Sequence, residues 1–206
     1  MNESDNKGRL ALERNLQKAF KTVHSCSTPL QTMITDTLPI VTSVANLIEQ
    51  LECCKSLSDG SIPLMESFPD AKVHLTAKIE LEITAKLEEL ERRIYTLKEK
   101  QEMVNKHYES SASLLQKYSS ALDLRILTVA TPTVPPLAKM MEWLEEINIL
   151  LNNQYLCKLH LLKTALTDEG VGSQHFVHMW QEGDDVMLSS LKDCLTRVEF
   201  FLAEKR

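Results

Sequence analysis

Four side chains in the second half of the chain could together bind zinc. Cys157 and His160 lie three residues apart, and His175 and His178 repeat this spacing just before Trp180. Structural zinc sites use such thiolates and imidazoles, but they place them in closely spaced pairs with recognised spacings, which neither pair has. We therefore expect no metal here, with Cys157 as a small buried apolar residue and the histidines as surface or capping groups.

Other residue patterns that support catalysis are absent from the sequence. It contains no GxxxxGK[ST], GxGxxG or GxSxG string, so neither a phosphate-binding loop nor a nucleophile elbow is predicted. The acidic pair Glu145 and Glu146 is more simply a solvated helix face than a pair of catalytic carboxylates. We expect no enzyme activity and no cofactor.

Trp143 is a candidate for either the core or an interface. It is flanked by Met140, Met141 and Leu144, and a Trp in such surroundings is more often buried. Trp and Met are nevertheless enriched at the centres of protein–protein interfaces. By residue type alone, the chain is a helical interaction module.

A long central helix organises the chain. Its apolar positions recur three and four residues apart over five heptads, the spacing of one helix face. No Pro or Gly occurs between Asp70 and Ser120, and acidic residues precede basic ones by four, as in Glu82 and Lys86. The pattern predicts a helix from about Ser67 to Ser120. This face has eleven positions, nine of them apolar or aromatic and two, Gln101 and Ser111, polar: Ile83, Leu87, Leu90, Ile94, Leu97, Gln101, Val104, Tyr108, Ser111, Leu115 and Tyr118.

The segment before it has the same periodicity, although Pro29 and Pro39 lie inside it. One interpretation is a single helix from about Arg9 to Lys55 that kinks at both prolines. The other is a new helix that begins near Thr28, with Pro29 at its first position. The unbroken phase across both prolines favours the continuous helix.

These patterns predict an all-α fold, an elongated helical bundle built on a long antiparallel, coiled-coil-like hairpin. We divide the chain into a polar tail (1–8), the hairpin (9–120) with its turn at 56–66, a proline-containing crossover (121–136) and a C-terminal helical pair packed on the hairpin (137–206). The crossover is expected to be extended, and its Ile126, Leu127 and Val129 form either a strap over the core or an exposed docking strand.

The last segment has an apolar face wider than a single stripe. Leu188, Leu191, Leu195, Val198 and Leu202 form one row, with Met187, Cys194 and Phe201 beside it. Such a width is typical of a helix covered on two sides.

Composition narrows the classes of partner. The formal net charge is −6, no region has the basic excess that nucleic-acid binding requires, and no apolar run is long enough to span a membrane. The polar N-terminus lacks a secretory signal, and the five cysteines, an odd number without a CxxC motif, favour a reducing compartment. We expect a soluble protein.

Five strings resemble, in order and spacing, the AIRIM family of small ribosome-maturation factors. The most specific part is EWL followed at the right distance by YL, a basic residue and LL, whereas the heptad regions match only in pattern and 175–185 matches poorly. The strings are NLIEQL (46–51), SFPDAK (67–72), MMEWLEEI (140–147), YLCKLHLL (155–162) and VEFFLAE (198–204).

This resemblance implies a non-catalytic adaptor present in cytoplasm and nucleus. Such proteins pair with a small helical cyclin-dependent-kinase-interacting protein and dock on an ATPase built from two AAA-type subunits. The assembly releases a shuttling factor from cytoplasmic precursors of the large ribosomal subunit, and it has been linked to replisome turnover on chromatin. The alternative, supported by the heptad tracts alone, is a structural coiled-coil tether of the cytoskeletal or spindle type.

Three residues in the matched strings are candidates for partner binding: Trp143, Tyr155 and Lys158. Trp143 and Tyr155 are twelve residues apart, which places them about 120° apart around a helix, so they do not share one narrow face. We expect Trp143 to lie in the core, and Tyr155 with Lys158, one turn away, to form the surface pair.

Overall fold

The computed structural model of the chain describes residues 3–57, 68, 70–119, 124–166 and 173–204. Within these residues every regular element is an α-helix, which confirms the predicted all-α class. The helices are α1 (Glu3–Ser56), α2 (Ala71–Lys117), α3 (Leu124–Thr128), α4 (Leu137–Thr164), α5 (Ser173–Gln181), α6 (Asp184–Arg197) and α7 (Glu199–Ala203).

The helices belong to two compact units. The first unit comprises residues 1–32, 96–155 and 183–206, and the second comprises residues 33–95 and 156–182. Each of α1, α2 and α4 therefore contributes residues to both units, whereas α5 belongs to the second unit, and α6 and α7 belong to the first.

Helix α1 runs without interruption through both prolines, so the predicted continuous helix is confirmed and the separate start near Thr28 is wrong. It begins at Glu3, inside the segment expected to be a polar tail. Within this early part of α1, Gly8 is buried against the ring of Tyr118, and a Cβ at Gly8 would stand only 2.9 Å from the ring Cγ.

In the first unit, polar side chains connect α1 to α2. Asn15 Nδ2 donates to Ser111 Oγ over 2.7 Å, and Thr22 Oγ1 lies 3.0 Å from His107 Nε2. The residue numbers rise along α1 as they fall along α2, so the two helices are antiparallel, as the hairpin prediction requires.

Ion pairs show the same direction in the second unit. Asp36 pairs with Arg93 over 3.2 Å, and Lys55 pairs with Glu80 over 3.4 Å. All four side chains are substantially exposed, so each pair contributes little to stability. The predicted cap Ser67 and the predicted turn, from residue 58 onward, lie outside the described residues.

The core follows the predicted stripes of α1 and α2. In the first unit it includes Leu12, Leu16, Val23, Leu97 and Val104, and in the second unit Val44, Leu51, Ile83, Leu90 and Ile94. Burial of these side chains stabilises the fold because it removes apolar surface from water.

The prediction of an extended crossover is wrong for part of its length, because α3 forms one helical turn there. A tight turn follows, in which the Thr131 amide donates to the Val134 carbonyl over 2.9 Å. Val134 is buried, whereas Val129 is 62% exposed, so this residue of the predicted apolar run does not cover a core.

The end of the chain contains more breaks than expected. Gly183 has φ 81°, a left-handed conformation, and a Cβ there would meet Gln154 Nε2 at 1.9 Å. The chain therefore turns between α5 and α6 at the residue type that tolerates this geometry. A second break at Val198, with φ −106° and ψ 8°, separates α6 from α7.

Candidate interaction site

The residues that could have bound zinc all lie in the second unit, on solvent-facing positions of α4 and α5. Cys157, His160, His175 and His178 are exposed. In the ranges that the structure describes, no three His, Cys, Asp or Glu side chains lie close enough to hold a metal ion. The expectation that Cys157 is buried is wrong, because its position on α4 faces solvent.

Trp143 on α4 is 9% exposed, in agreement with its expected place in the core. Its neighbours Met140, Leu144 and Ile147 are buried with it. The guanidinium carbon of Arg197 lies 5.5 Å from the centroid of the Trp143 ring, within cation–π range. Trp143 therefore packs α4 and α6 together in the first unit.

Lys158 is buried, so the expectation that it lies on the surface of α4 is wrong. It is only 1% exposed, and its ammonium group donates a hydrogen bond to the carbonyl oxygen of Trp180. The same nitrogen lies 4.8 Å from the centroid of the Trp180 ring. Because Trp180 stands in the last turn of α5, Lys158 caps the negative end of that helix.

The indole of Trp180 extends this buried arrangement to α1. Trp180 is 1% exposed, and its Nε1 donates to Thr37 Oγ1 over 3.4 Å. Phe176 packs beside it, with ring centroids 6.3 Å apart. One buried lysine thus joins α4 to α5, and one indole joins α5 to α1 in the second unit.

The sequence does contain a signal for the burial of Lys158. Leu151, Tyr155, Lys158 and Leu162 are spaced by four, three and four residues, the spacing of one helix face. Residue type predicts that a lysine is exposed, whereas its spacing from Leu151, Tyr155 and Leu162 places Lys158 on the buried face of α4. Leu159, the next residue along α4, is only half-buried.

Tyr155 belongs to the first unit and is half-buried. It therefore remains accessible to a partner, and its role in binding stays a prediction. Glu145 and Glu146 are exposed, as expected of a solvated helix face.

His107 on α2 faces α1 and has a shifted pKa. Burial, followed by the charges of Lys106 and Lys18, lowers the pKa of His107. Its imidazole nitrogen lies beside Thr22, a residue of the facing helix. The neutral ring is therefore the form that suits the packed helices.

Gln17 ties the end of the chain to α1 in the first unit. Its Nε2 donates to the carbonyl of Phe201 over 2.9 Å and to that of Glu204 over 2.7 Å. Gln17 is 6% exposed, so these bonds form away from water and satisfy carbonyls at the C-terminal end of α7.

Next to this contact, α1 and α6 line an open cleft of about 790 Å³. Hydroxyl-bearing residues of α1, including Ser27 and Thr28, face leucines of α6, including Leu188 and Leu195, across it. The α1 wall of the cleft is thus polar, whereas the α6 wall presents leucines among polar residues such as Lys192 and Thr196.

The described cysteines are free thiols. Cys26, Cys54 and Cys194 are buried, whereas Cys53 and Cys157 are exposed. Burial raises the pKa of Cys26, and it raises the pKa of Cys194 to about 12, so neither thiol ionises readily at neutral pH. None of the helices in the described ranges is long and apolar enough to cross a bilayer.

The chain is similar to known proteins over nearly its whole length. The family model of the C1orf109-like ribosome biogenesis proteins matches residues 10–200. A Mus musculus protein named AFG2-interacting ribosome maturation factor is 29% identical over 95% of this chain and 90% of its own length. Proteins of the same name from Homo sapiens and Xenopus tropicalis are each 26% identical, over 95% and 93% of this chain and 97% and 95% of their own lengths.

Proposed function

This chain belongs to the C1orf109-like family of ribosome biogenesis proteins, and we propose that it is a non-catalytic adaptor that acts with an AAA ATPase of the AFG2 type. The observation that carries this proposal is the family match over residues 10–200. Similarity that covers so much of each sequence includes every long helix, so it supports a shared architecture as well as a shared role.

The name of the mouse and human relatives joins two properties, ribosome maturation and interaction with AFG2. We propose that both apply to this chain. The adaptor recruits the ATPase to cytoplasmic precursors of the large ribosomal subunit and promotes release of a shuttling factor from them. The resemblance of strings such as MMEWLEEI and YLCKLHLL supports this assignment.

The finer features of the proposal rest on that resemblance alone. They are a second AAA-type ATPase subunit, a small helical cyclin-dependent-kinase-interacting protein as heterodimer partner, presence in cytoplasm and nucleus, and a link to replisome turnover on chromatin. Paired long helices with exposed apolar side chains, such as Ile149 and Val186, suit an assembly role.

Among the three residues predicted to bind partners, we propose Tyr155 as the direct contact, because it is half-buried and keeps accessible surface. Lys158 acts indirectly, by holding α5 in place through Trp180. Trp143 acts through the core of the first unit.

Co-purification tests the proposal. The tagged chain is expressed in cells of the organism it comes from and isolated at physiological salt. It should recover an AFG2-type ATPase, which mass spectrometry identifies. Tyr155→Ala should lower recovery roughly tenfold, the effect of losing one interface Tyr. Tyr95→Ala, which removes a 51% exposed Tyr from the second unit, is the matched control and should leave recovery of the ATPase unchanged.

Failure to recover any AAA ATPase with the wild-type chain would refute the adaptor. Light scattering of the purified chain separates it from the coiled-coil tether, because a tether forms a homodimer whereas the adaptor is a monomer until it meets its partner.

A further inference from the structure

The C-terminal helices leave part of their wide apolar face uncovered. One row of it is buried in the first unit; this row consists of Met187, Leu191, Cys194, Val198 and Phe201. A second row, Leu188, Leu195 and Leu202, is only half-buried, and its members recur every seven residues. Leu188 and Leu195 lie two turns apart on α6, and Leu202 follows on α7 beyond the break at Val198, so the row is an apolar strip shared by two successive helices.

This leucine row lines the cleft between α1 and the C-terminal helices, which we name the α1–α6 cleft. It is the opening of about 790 Å³ that Leu188 and Leu195 line, and a smaller recess of about 340 Å³ beside it is lined by Leu195 and Leu202. Since Gln17 contacts residues 201 and 204, and Thr28 and Thr32 line the cleft with Leu188, α1 and α6 are antiparallel along it. A groove between two such helices accommodates a third helix.

The α1 wall adds a polar requirement. Ser27 Oγ is buried and has no hydrogen-bond partner among the residues that the structure describes. That oxygen is shielded by the chain itself and is out of reach of a ligand in the open cleft. The exposed hydroxyl groups of Thr28 and Thr32 are the ones on this wall that a polar side chain of the occupant would meet.

The charged residues that line the cleft indicate which charge the occupant carries. Two lysines, Lys21 and Lys192, and one carboxylate, Glu199, line the cleft and recess. The whole chain, by contrast, has a net charge of −6. Both lysines are exposed, and neither forms an ion pair with any other described residue. The rim is therefore a local excess of positive charge, which favours a partner with acidic flanks.

From these observations we propose that the α1–α6 cleft binds an amphipathic α-helix of a partner protein. This helix presents apolar side chains three and four residues apart to the leucine row and acidic side chains to Lys21 and Lys192. The inference deepens the adaptor function proposed above, and rests on it for the partner's identity, because it assigns one surface of the adaptor to one kind of partner segment.

Two synthetic peptides test the cleft directly with the full-length chain. Both are 21-residue amphipathic helices with Leu at the a and d heptad positions; one has Glu and the other Lys at the flanking e and g positions. Binding is measured by fluorescence anisotropy at low and physiological salt. We expect the Glu peptide to bind at least tenfold more tightly than the Lys peptide, with a difference that shrinks as salt increases.

Two variants localise the binding. Lys21→Glu with Lys192→Glu should weaken the Glu peptide at least tenfold, and because both residues are exposed, the fold is preserved. The control, Lys78→Glu with Lys163→Glu, makes the same change in net charge on exposed positions of the second unit and should leave affinity unchanged. Leu195→Glu, checked by circular dichroism, should abolish binding of both peptides.

Three results overturn the proposal: binding of neither peptide by the wild-type chain, equal effects of the two charge-reversal pairs, or a wild-type dimer that Leu195→Glu dissociates, which assigns the cleft to a second copy. The peptide result does not depend on the ATPase. Peptide binding without recovery of an ATPase refutes the adaptor function while the cleft assignment stands, and the reverse result refutes the cleft alone.

Discussion

Replacing Lys158 by Glu should strongly destabilise the second unit. The substitution removes a hydrogen bond from a charged group to the Trp180 carbonyl and a cation held 4.8 Å from the indole centroid. It places a carboxylate against a carbonyl oxygen and the negative face of a ring, at a site that is 1% exposed.

The magnitude follows from the two lost contacts. A hydrogen bond from a charged donor contributes about 1.5 to 3 kcal/mol, and a desolvated cation–π contact contributes about 2 kcal/mol. The sum is about 4 kcal/mol, which at about 2 to 4 °C per kcal/mol for a chain of this size lowers the midpoint of thermal unfolding by roughly 8 to 16 °C.

Thermal unfolding followed by circular dichroism, at pH 7 and again at pH 4.5, measures the effect. The deficit should shrink at the lower pH, because a buried carboxyl becomes neutral there. Lys78→Glu, at an exposed position of the same unit, is the control for charge and should change the midpoint by little. If Lys158→Glu melts like this control, Lys158 is not buried and α5 does not dock on α4 through it.

Three further predictions concern single residues. Leu90→Ala, at a fully buried position, should lower the free energy of unfolding by about 2 to 5 kcal/mol in urea titrations; an unchanged midpoint would contradict its place in the core. Gly183→Ala should cost about 1 to 3 kcal/mol for its left-handed backbone alone, and the added Gln154→Ala should recover only the part that comes from the side-chain clash, as judged by the same titration. His107 has a lowered pKa, so the unfolded chain binds more protons at this site; its contribution to stability is complete above pH 6.5 and is lost as the pH falls below that value. Melting midpoints between pH 7.5 and 5 should therefore fall more for the wild-type chain than for His107→Gln, and equal slopes would show that His107 is not responsible.

The long helices were predictable because their information is local. Apolar residues three and four apart form one face only in a helix, and the phase of that face across Pro29 and Pro39 indicated one continuous helix before any contact was known. The antiparallel pairing followed from the lengths of the helices and from the turn residues between them. The packing of Gly8 on Tyr118 near the start of α1 was not predictable in this way, because it joins residues 110 positions apart.

Packing, by contrast, determined which residues of a wide apolar face are buried. Around α6 and α7 two neighbouring rows are apolar, and a rotation of 100° per residue separates them; contact with the rest of the first unit buries the row of Met187 and Leu191 and leaves the row of Leu188 and Leu195 at the cleft. The burial of Lys158 depends in the same way on a carbonyl group 22 residues further along the chain. Periodicity within one helix carries no information about that acceptor, because the acceptor comes into place only when α5 packs on α4.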